Sequence, residues 1–318
     1  MPEPEYPVEL SIVIPVWNER ENIAPLVLEI QASSLKVPFE VIFVDDGSHD
    51  GTFTRIAACH RDDSRIKGVL LKQHGGKSAA YLAGFRQARG RFVATMDGDL
   101  QDDPKDLVPL LDKLEEGFDL VIGWKQTGKS SRSTFALSRL LNGVLRRITG
   151  LPLHDMNCPL RVMKASVAKK LDLRADLHRY IPLLAKSMGA SVAEVPVGNR
   201  ERLHGVSKYT GSKYWNSAIS YMGLRLYLRF GERPMFLFGS LGLLCFLLGA
   251  AVIAKVVIGF VAFSTDIDDD LPTLVLGVLL TLVGTQFLGL GLLGEILVRR
   301  LSHHEARGAD AVQEVLGA

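Results

Sequence analysis

Two pairs of neighbouring carboxylates stand where apolar runs stop. "FEVIFVDDGS" (39–48) closes on Asp45 and Asp46, and "RFVATMDGDL" (91–100) closes on Asp97 and Asp99. Carboxylates at i and i+2 can offer oxygens to one hard cation if the turn redirects the second. Mg2+ and Mn2+ take oxygen ligands, commonly one or two carboxylates completed by substrate phosphates. A bare D-x-D is equally an ordinary solvated turn, so its weight comes from where it sits. A third stretch, "LLKQHGGKSAAYLAGF" (70–85), contains Gly75-Gly76-Lys77-Ser78 and looks like the end of a phosphate-binding loop. Such a loop needs G-x-x-x-x-G-K-[ST]. Five residues before Gly76 stands Leu71, inside an apolar run. The ATPase reading is therefore weak. What remains is a Gly-Gly turn into a helix whose N-terminus favours anions, with Lys77 placed to approach one.

The elements that must hold these residues alternate. Apolar, β-rich runs at 10–17, 39–48, 66–72, 91–100 and 118–124 are separated by helical patterns at 19–33, 52–61, 78–88 and 104–117. Strands alternating with helices predict an α/β fold with a mostly parallel, doubly wound sheet. Ligands of such sheets sit outside the carboxyl ends of the strands, where both acidic pairs fall. Two later stretches, 131–150 and 208–230, mix basic residues with apolar and aromatic ones and read as amphipathic interface helices. Helices packed on the sheet are the alternative.

The chain has 318 residues and a net charge of +2, which gives no overall case for a nucleic-acid binder. Cys59, Cys158 and Cys245 are odd in number and far apart, which favours reduced thiols over a disulfide framework or a CxxC metal site. "MPEPEYPVEL" lacks a basic region followed by an apolar run, so no secretory signal is expected. Past residue 230 the composition changes. The apolar stretches at about 234–259 and 271–295 are each long enough to cross a bilayer, which takes about 20 residues; two buried core helices are the alternative. Arg225, Arg229 and Arg233 precede the first, Arg299, Arg300 and Arg307 follow the second, and the loop "STDIDDD" is acidic. The positive-inside rule then puts both ends in the cytoplasm. The expected organisation is a cytoplasmic domain at 1–207, a juxtamembrane segment at 208–233, two transmembrane helices within 234–300, and a cytoplasmic tail at 301–318.

"SIVIPVWNE" (11–19), "VIFVDDGSHDGT" (41–52) and "MDGDLQDDP" (96–104), in this order and spacing, resemble family 2 glycosyltransferases with the GT-A fold. "DMNCPLRVMK" (155–164), "RLHGVSKY" (202–209) and the C-terminal hairpin narrow the resemblance to polyprenyl-phosphate glycosyltransferases, over nearly the whole chain. That group includes dolichyl-phosphate mannose synthases, bactoprenyl-phosphate glucosyltransferases and undecaprenyl-phosphate aminoarabinose transferases.

The resemblance implies roles position by position. Pro15, Trp17, Asn18 and Glu19 border the nucleotide, with Trp17 where the family usually has Tyr. Asp45 and Asp46 lie near base and ribose. Asp97, Asp99 and Gln101 form the metal and diphosphate group, with Mg2+ or Mn2+ as cofactor. The residue between the two acids is commonly Ala and here is Gly98, which is expected to loosen the turn. Arg202 and Lys208 meet phosphates on closure and join Asp99 as the catalytic set. Lys77 is placed near the donor or acceptor phosphate. Asp155 and Arg161 match a family segment, with a structural role for Arg161 left open; together with Arg132 and Arg139, which come from the basic 131–150 stretch and not from the resemblance, they are assigned to the acceptor phosphate.

The implied activity is inverting transfer of a sugar from a nucleotide-diphosphate sugar, UDP favoured over GDP, to a polyprenyl phosphate at the inner membrane. A tetramer is implied by the same resemblance. A processive polysaccharide synthase usually carries more spans and a Q-x-x-R-W motif, neither of which is found here. A non-enzymatic sugar-lipid binding or flipping component would leave "MDGDLQDDP" without a purpose.

Overall fold

The structure, a computed structural model, describes residues 6–125, 153–173, 177–198, 200, 234–263, 267–304 and 312–317. The chain divides into two compact units, Met1–Lys208 with Asp310–Ala318, and Tyr209–Ala309.

In the first unit, strands β1 (Val8–Val16), β2 (Phe39–Asp45), β3 (Ile66–Leu71) and β4 (Gly90–Thr95) are linked by helices α1 (Arg20–Gln31), α2 (Thr52–Asp62) and α3 (Lys77–Gln87). Then come α4 (Leu107–Glu115), β5 (Leu120–Lys125), β6 (Arg161–Lys164), α5 (Ala165–Ala168), α6 (Ile181–Ser187), β7 (Val192–Val197) and, at the far end of the chain, β8 (Val312–Leu316). The sheet order is β7-β5-β6-β4-β1-β2-β3-β8. β1 runs parallel to β2 and β4, and β2 parallel to β3. β1 and β2 are nearly continuous apolar runs, as parallel strands covered on both faces require; every residue of β2 is buried.

Alternation along β1 sends Leu10, Ile12, Ile14 and Val16 to the face covered by α1, α2 and α4 through Ile23, Leu26, Ile56 and Leu110. Val13 goes to the opposite face with Tyr81 and Phe85 of α3. There α3 lies directly on the sheet: a Cβ on Gly84 would come within 2.3 Å of Val13 Cγ1. The chain thus winds outward from β1 to β3 and returns by α3 to β4 on the other side of β1. Strand order reverses between β1 and β4, and their carboxyl ends splay apart into a crevice at such a point.

Three features differ from the expected layout. β4 ends at Thr95, so Asp97 and Asp99 stand in the bend beyond it. The reason is local: the Asp97 N–H donates to the Asp102 carboxylate (3.1 Å) and not to a strand, and Leu100 takes a left-handed φ of 62°. β6 inserts antiparallel between β4 and β5. Part of the expected tail, β8, pairs antiparallel with β3, with Gly68 opposite Leu316, and so covers what would be the sheet's open edge.

In the second unit, α7 (Pro234–Phe263) and α8 (Ile267–His304) are packed together. At 1.5 Å per residue the 30 residues of α7 reach about 45 Å, and both helices are long and apolar enough to cross a membrane. Small residues let them approach: a Cβ on Gly242 would lie 2.8 Å from the Gly284 carbonyl oxygen, and one on Gly249 2.4 Å from Thr281 Oγ1.

Candidate active site

The crevice is built from four strand ends. The end of β1 supplies Pro15 and, beyond it, Trp17, Asn18 and Glu19. Asn18 adopts φ 55°, a left-handed conformation that asparagine tolerates better than most residues. Its amide N–H donates to Ser48 Oγ (2.8 Å), and its Oδ1 accepts from the His49 N–H (3.0 Å). The Glu19 N–H donates to Thr52 Oγ1 (3.0 Å), and its carboxylate accepts from Asn22 Nδ2 (2.5 Å). The bonds to Ser48, His49 and Thr52 staple the β1 turn to the segment after β2.

At the end of β2 the two aspartates do different work. Asp45 is buried, and its Oδ1 accepts from the Ser48 N–H (2.8 Å). Burial pushes its pKa up, against the lowering effect of the Ser48 bonds. Asp46 turns the other way and accepts from the Gly75 and Gly76 N–H groups at 2.7 and 2.8 Å, with His74 Nδ1 2.9 Å from its second oxygen. The amides that resembled a phosphate cradle are thus filled by this protein's own carboxylate. His74 in turn packs against the exposed Trp17 ring, centroids 4.6 Å apart.

The bend after β4 carries the D-x-D. Lys77, the first residue of α3, donates from Nζ to Asp97 Oδ1 and lies over the Tyr81 ring, 5.8 Å from its centroid. Burial pushes the Asp97 carboxyl up, but Lys77, Lys125 and Arg161 outweigh it and hold Asp97 below the usual carboxylate range. Asp99 is almost fully buried, and its Oδ1 accepts from the Gln101 N–H (3.3 Å). Beneath them Asp102 is closed off from solvent and paired with Lys125 Nζ at 2.6 Å. Burial, then the neighbouring Asp97, raises the Asp102 pKa. Arg161 is buried in the same cluster and donates from Nη1 to the His178 carbonyl (3.1 Å). Asp155 is tied through its N–H to Glu194 (2.8 Å) and raised in pKa chiefly by burial.

The Gly98 expectation changes here. A Cβ on Gly98 would lie 2.6 Å from Val16 Cγ1, so Gly98 draws the acidic bend tight against β1. Gly98→Ala is expected to cost about 1–3 kcal/mol by overpacking and to reduce activity by shifting both aspartates. Adding Val16→Ala removes the obstructing methyl and restores at least half of the lost melting temperature; no recovery in that double variant would refute the packing account.

Among the described residues, then, the fold gathers Trp17, Asn18, Glu19, Asp45, Asp46 and Lys77 around one crevice with Asp97, Asp99 and Gln101. Arg132, Arg139, Arg202 and Lys208 lie outside the described residues, as do the 131–150 and 208–230 stretches. The nearby Arg200 bonds Gln101 O through its N–H (3.2 Å), Glu29 through Nη1 (2.7 Å) and Asp103 through Nη2, which anchors that end of the chain beside the D-x-D. Sequence reasoning missed Lys125, Tyr81, His74 and the role of Asp102. Asp102 lies inside "MDGDLQDDP", whereas Lys125 closes an ordinary strand and carries no local signal.

Two carboxylates are too few to cage a cation alone, and among the described residues no cluster of three or more His, Cys, Asp or Glu side chains could do so. The oxygen-only pair does fit a hard divalent ion whose shell is completed by a substrate diphosphate.

The chain matches "Glycosyl transferase family 2" over residues 11–172. It is 34% identical over 324 residues to a dodecaprenyl-phosphate galacturonate synthase of Rhizobium johnstonii, covering 98% of this chain and 94% of that one. It is 32% identical over 317 residues to an undecaprenyl-phosphate 4-deoxy-4-formamido-L-arabinose transferase of Pseudomonas aeruginosa, covering 98% and 92%. Its fold matches glucosyl-3-phosphoglycerate synthase of Mycobacterium tuberculosis, solved with Mn2+ and UDP-glucose, at a TM-score of 0.54 and 21% identity, over 70% of this chain and 79% of that one.

Proposed function

The chain belongs to glycosyl transferase family 2, and from that premise we propose that it moves a sugar from a nucleotide-diphosphate sugar to a polyprenyl phosphate, with UDP favoured over GDP. One observation carries the reading. The likeness to two polyprenyl-phosphate sugar transferases extends over 98% of this chain, so it takes in α7 and α8 as well as the crevice. A polyprenyl tail does not leave the bilayer cheaply, and a catalytic unit joined to two membrane-spanning helices brings the chemistry to it. In this reading both termini and the catalytic unit are cytoplasmic, an orientation that the basic flanks of the spans support.

The acceptor is a phosphate monoester with a second pKa of about 6, so its attacking oxygen is already ionised at neutral pH and no strong general base is needed. That oxygen forms a bond to the anomeric carbon, the bond from that carbon to the diphosphate breaks, and the nucleoside diphosphate leaves with the electron pair. Displacement from the opposite face inverts the anomeric centre. Trp17, Asn18, Glu19, Asp45 and Asp46 hold the nucleoside end. Asp97 and Asp99, with Gln101, would hold Mg2+ or Mn2+, and the ion when bound would supply positive charge to the diphosphate leaving group. Lys77, Arg202 and Lys208 add cationic side chains for the two anions that must meet.

The test incubates the membrane-embedded chain with labelled UDP- and GDP-sugars, polyprenyl phosphate and Mn2+. Label is expected in a lipid carrying a single sugar, and is lost when EDTA removes the metal. Label in polymer would point instead to a processive synthase. Lipid binding without transfer, under every donor, overturns the enzymatic reading of the acceptor.

A further inference from the structure

The phosphate-loop look-alike contains an unexpected pairing. Its backbone amides are occupied by Asp46, which locks the turn through Gly75 and Gly76. Gly76 holds φ 81°, a conformation that favours glycine, and α3 starts at the next residue. Lys77 is therefore anchored at its backbone, and its side chain alone is free to change partner. Its ammonium sits on Asp97 Oδ1 and over the Tyr81 ring. Asp97 is one of the two carboxylates assigned above to the divalent ion. A monovalent cation thus already holds an oxygen that the reaction needs for a divalent one.

We propose that Lys77 is a resident counter-ion that keeps the divalent-cation site closed until a nucleoside diphosphate arrives, and then transfers its ammonium from Asp97 to that diphosphate. The inference rests on the metal-dependent reading above and adds an order of events to it. With Lys77 on Asp97, an incoming divalent ion meets a like charge beside its ligand, and the pair is half-buried, so solvent screens that repulsion only in part. A diphosphate reverses the balance, because it offers the ammonium several anionic oxygens in exchange for one carboxylate. The two ligands then bind with positive coupling, each favouring the arrangement the other needs. The free enzyme keeps Asp97 neutralised by Lys77 and does not hold a divalent ion unproductively.

The experiment uses the full chain in detergent and follows Mn2+ binding through the spectroscopic signal of free Mn2+, with and without UDP or GDP. Lys77→Met removes the charge, and Lys77→Gln removes it while leaving a hydrogen-bond donor for Asp97. Both are expected to bind Mn2+ alone at least tenfold more tightly than the parent chain and to bind the nucleoside diphosphate, with Mn2+ present, at least tenfold more weakly. Lys77→Arg keeps the charge and stays within about threefold of the parent on both measurements. Opposite signs are the diagnostic, because damage to the fold weakens both. Unchanged or weaker Mn2+ binding in the two neutral variants overturns the proposal. If transfer still requires metal in that case, the counter-ion role alone has failed. If no form binds Mn2+ even with a nucleoside diphosphate, and transfer proceeds in EDTA, the metal-dependent reading has failed with it.

Discussion

Asp99→Asn is expected to lower sugar transfer about 10³-fold, the scale of removing a principal electrostatic contact from a transition state, while leaving the protein folded. The substitution is nearly isosteric, and an amide oxygen can still accept the Gln101 N–H that Asp99 Oδ1 accepts at 3.3 Å. What disappears is the charge of one of the two carboxylates proposed to hold the divalent ion. Asp99 is 8% exposed, so solvent has little access to stand in for the lost charge. The melting temperature of the full chain in detergent should stay within about 2 °C of the parent, and Mn2+ titration should show weaker binding in the presence of a nucleoside diphosphate. Turnover within tenfold of the parent would remove Asp99 from the metal assignment.

The second large effect is on stability. Lys125 Nζ lies 2.6 Å from Asp102 Oδ1, with the Lys125 side chain 17% exposed and that of Asp102 fully enclosed. Lys125→Met leaves Asp102 with its charge uncompensated beside Asp97. Removing one partner of a buried pair costs about 3–5 kcal/mol, or roughly 10 °C in melting temperature for a unit of this size. Asp102→Asn in the same chain removes the stranded charge, so the double variant should be more stable than Lys125→Met alone. Tryptophan fluorescence reports the transition, since the neighbouring Trp124 stacks on His154 with ring centroids 4.0 Å apart. A shift under about 2 °C for Lys125→Met would mean that the pair carries little of the stability of the bend. Activity should fall as well, because Asp102 receives the Asp97 N–H (3.1 Å) and so sets the shape of the D-x-D turn.

These two residues mark the boundary between what one dimension specifies and what three dimensions add. Asp99 is found by spacing: two acids at i and i+2 ending an apolar run are visible in one dimension, and their chemistry follows from their type. Lys125 is not, because its partner comes from a different turn and nothing adjacent to it marks the contact. The fold shows the same division. The alternation of apolar runs with helical periods predicts the parallel core from β1 to β5, since each strand there is buried on both faces and each helix on one. β6 and β8 escape, being four and five residues long, too short for a periodic pattern. Their places are decided by which sheet edges are left to pair. Gly98 reads as a loosened turn in sequence and as a tight contact in the fold, because Val16 approaches it from a different strand.

By itself the sequence determined the two acidic pairs, the α/β class and the two apolar spans, all of which depend on residue type and local spacing, and its motifs carried the resemblance to the family. Only the tertiary structure decided what fills the Gly75-Gly76 amides and where Lys77 points. A helix N-terminus preceded by glycines favours an anion, and that preference is local. Which anion takes it depends on a carboxylate 29 and 30 residues away, brought over by the parallel pairing of β2 with β3. With Asp46 in that position, the motif that looked like a phosphate loop contributes a lysine to Asp97 in place of a cradle.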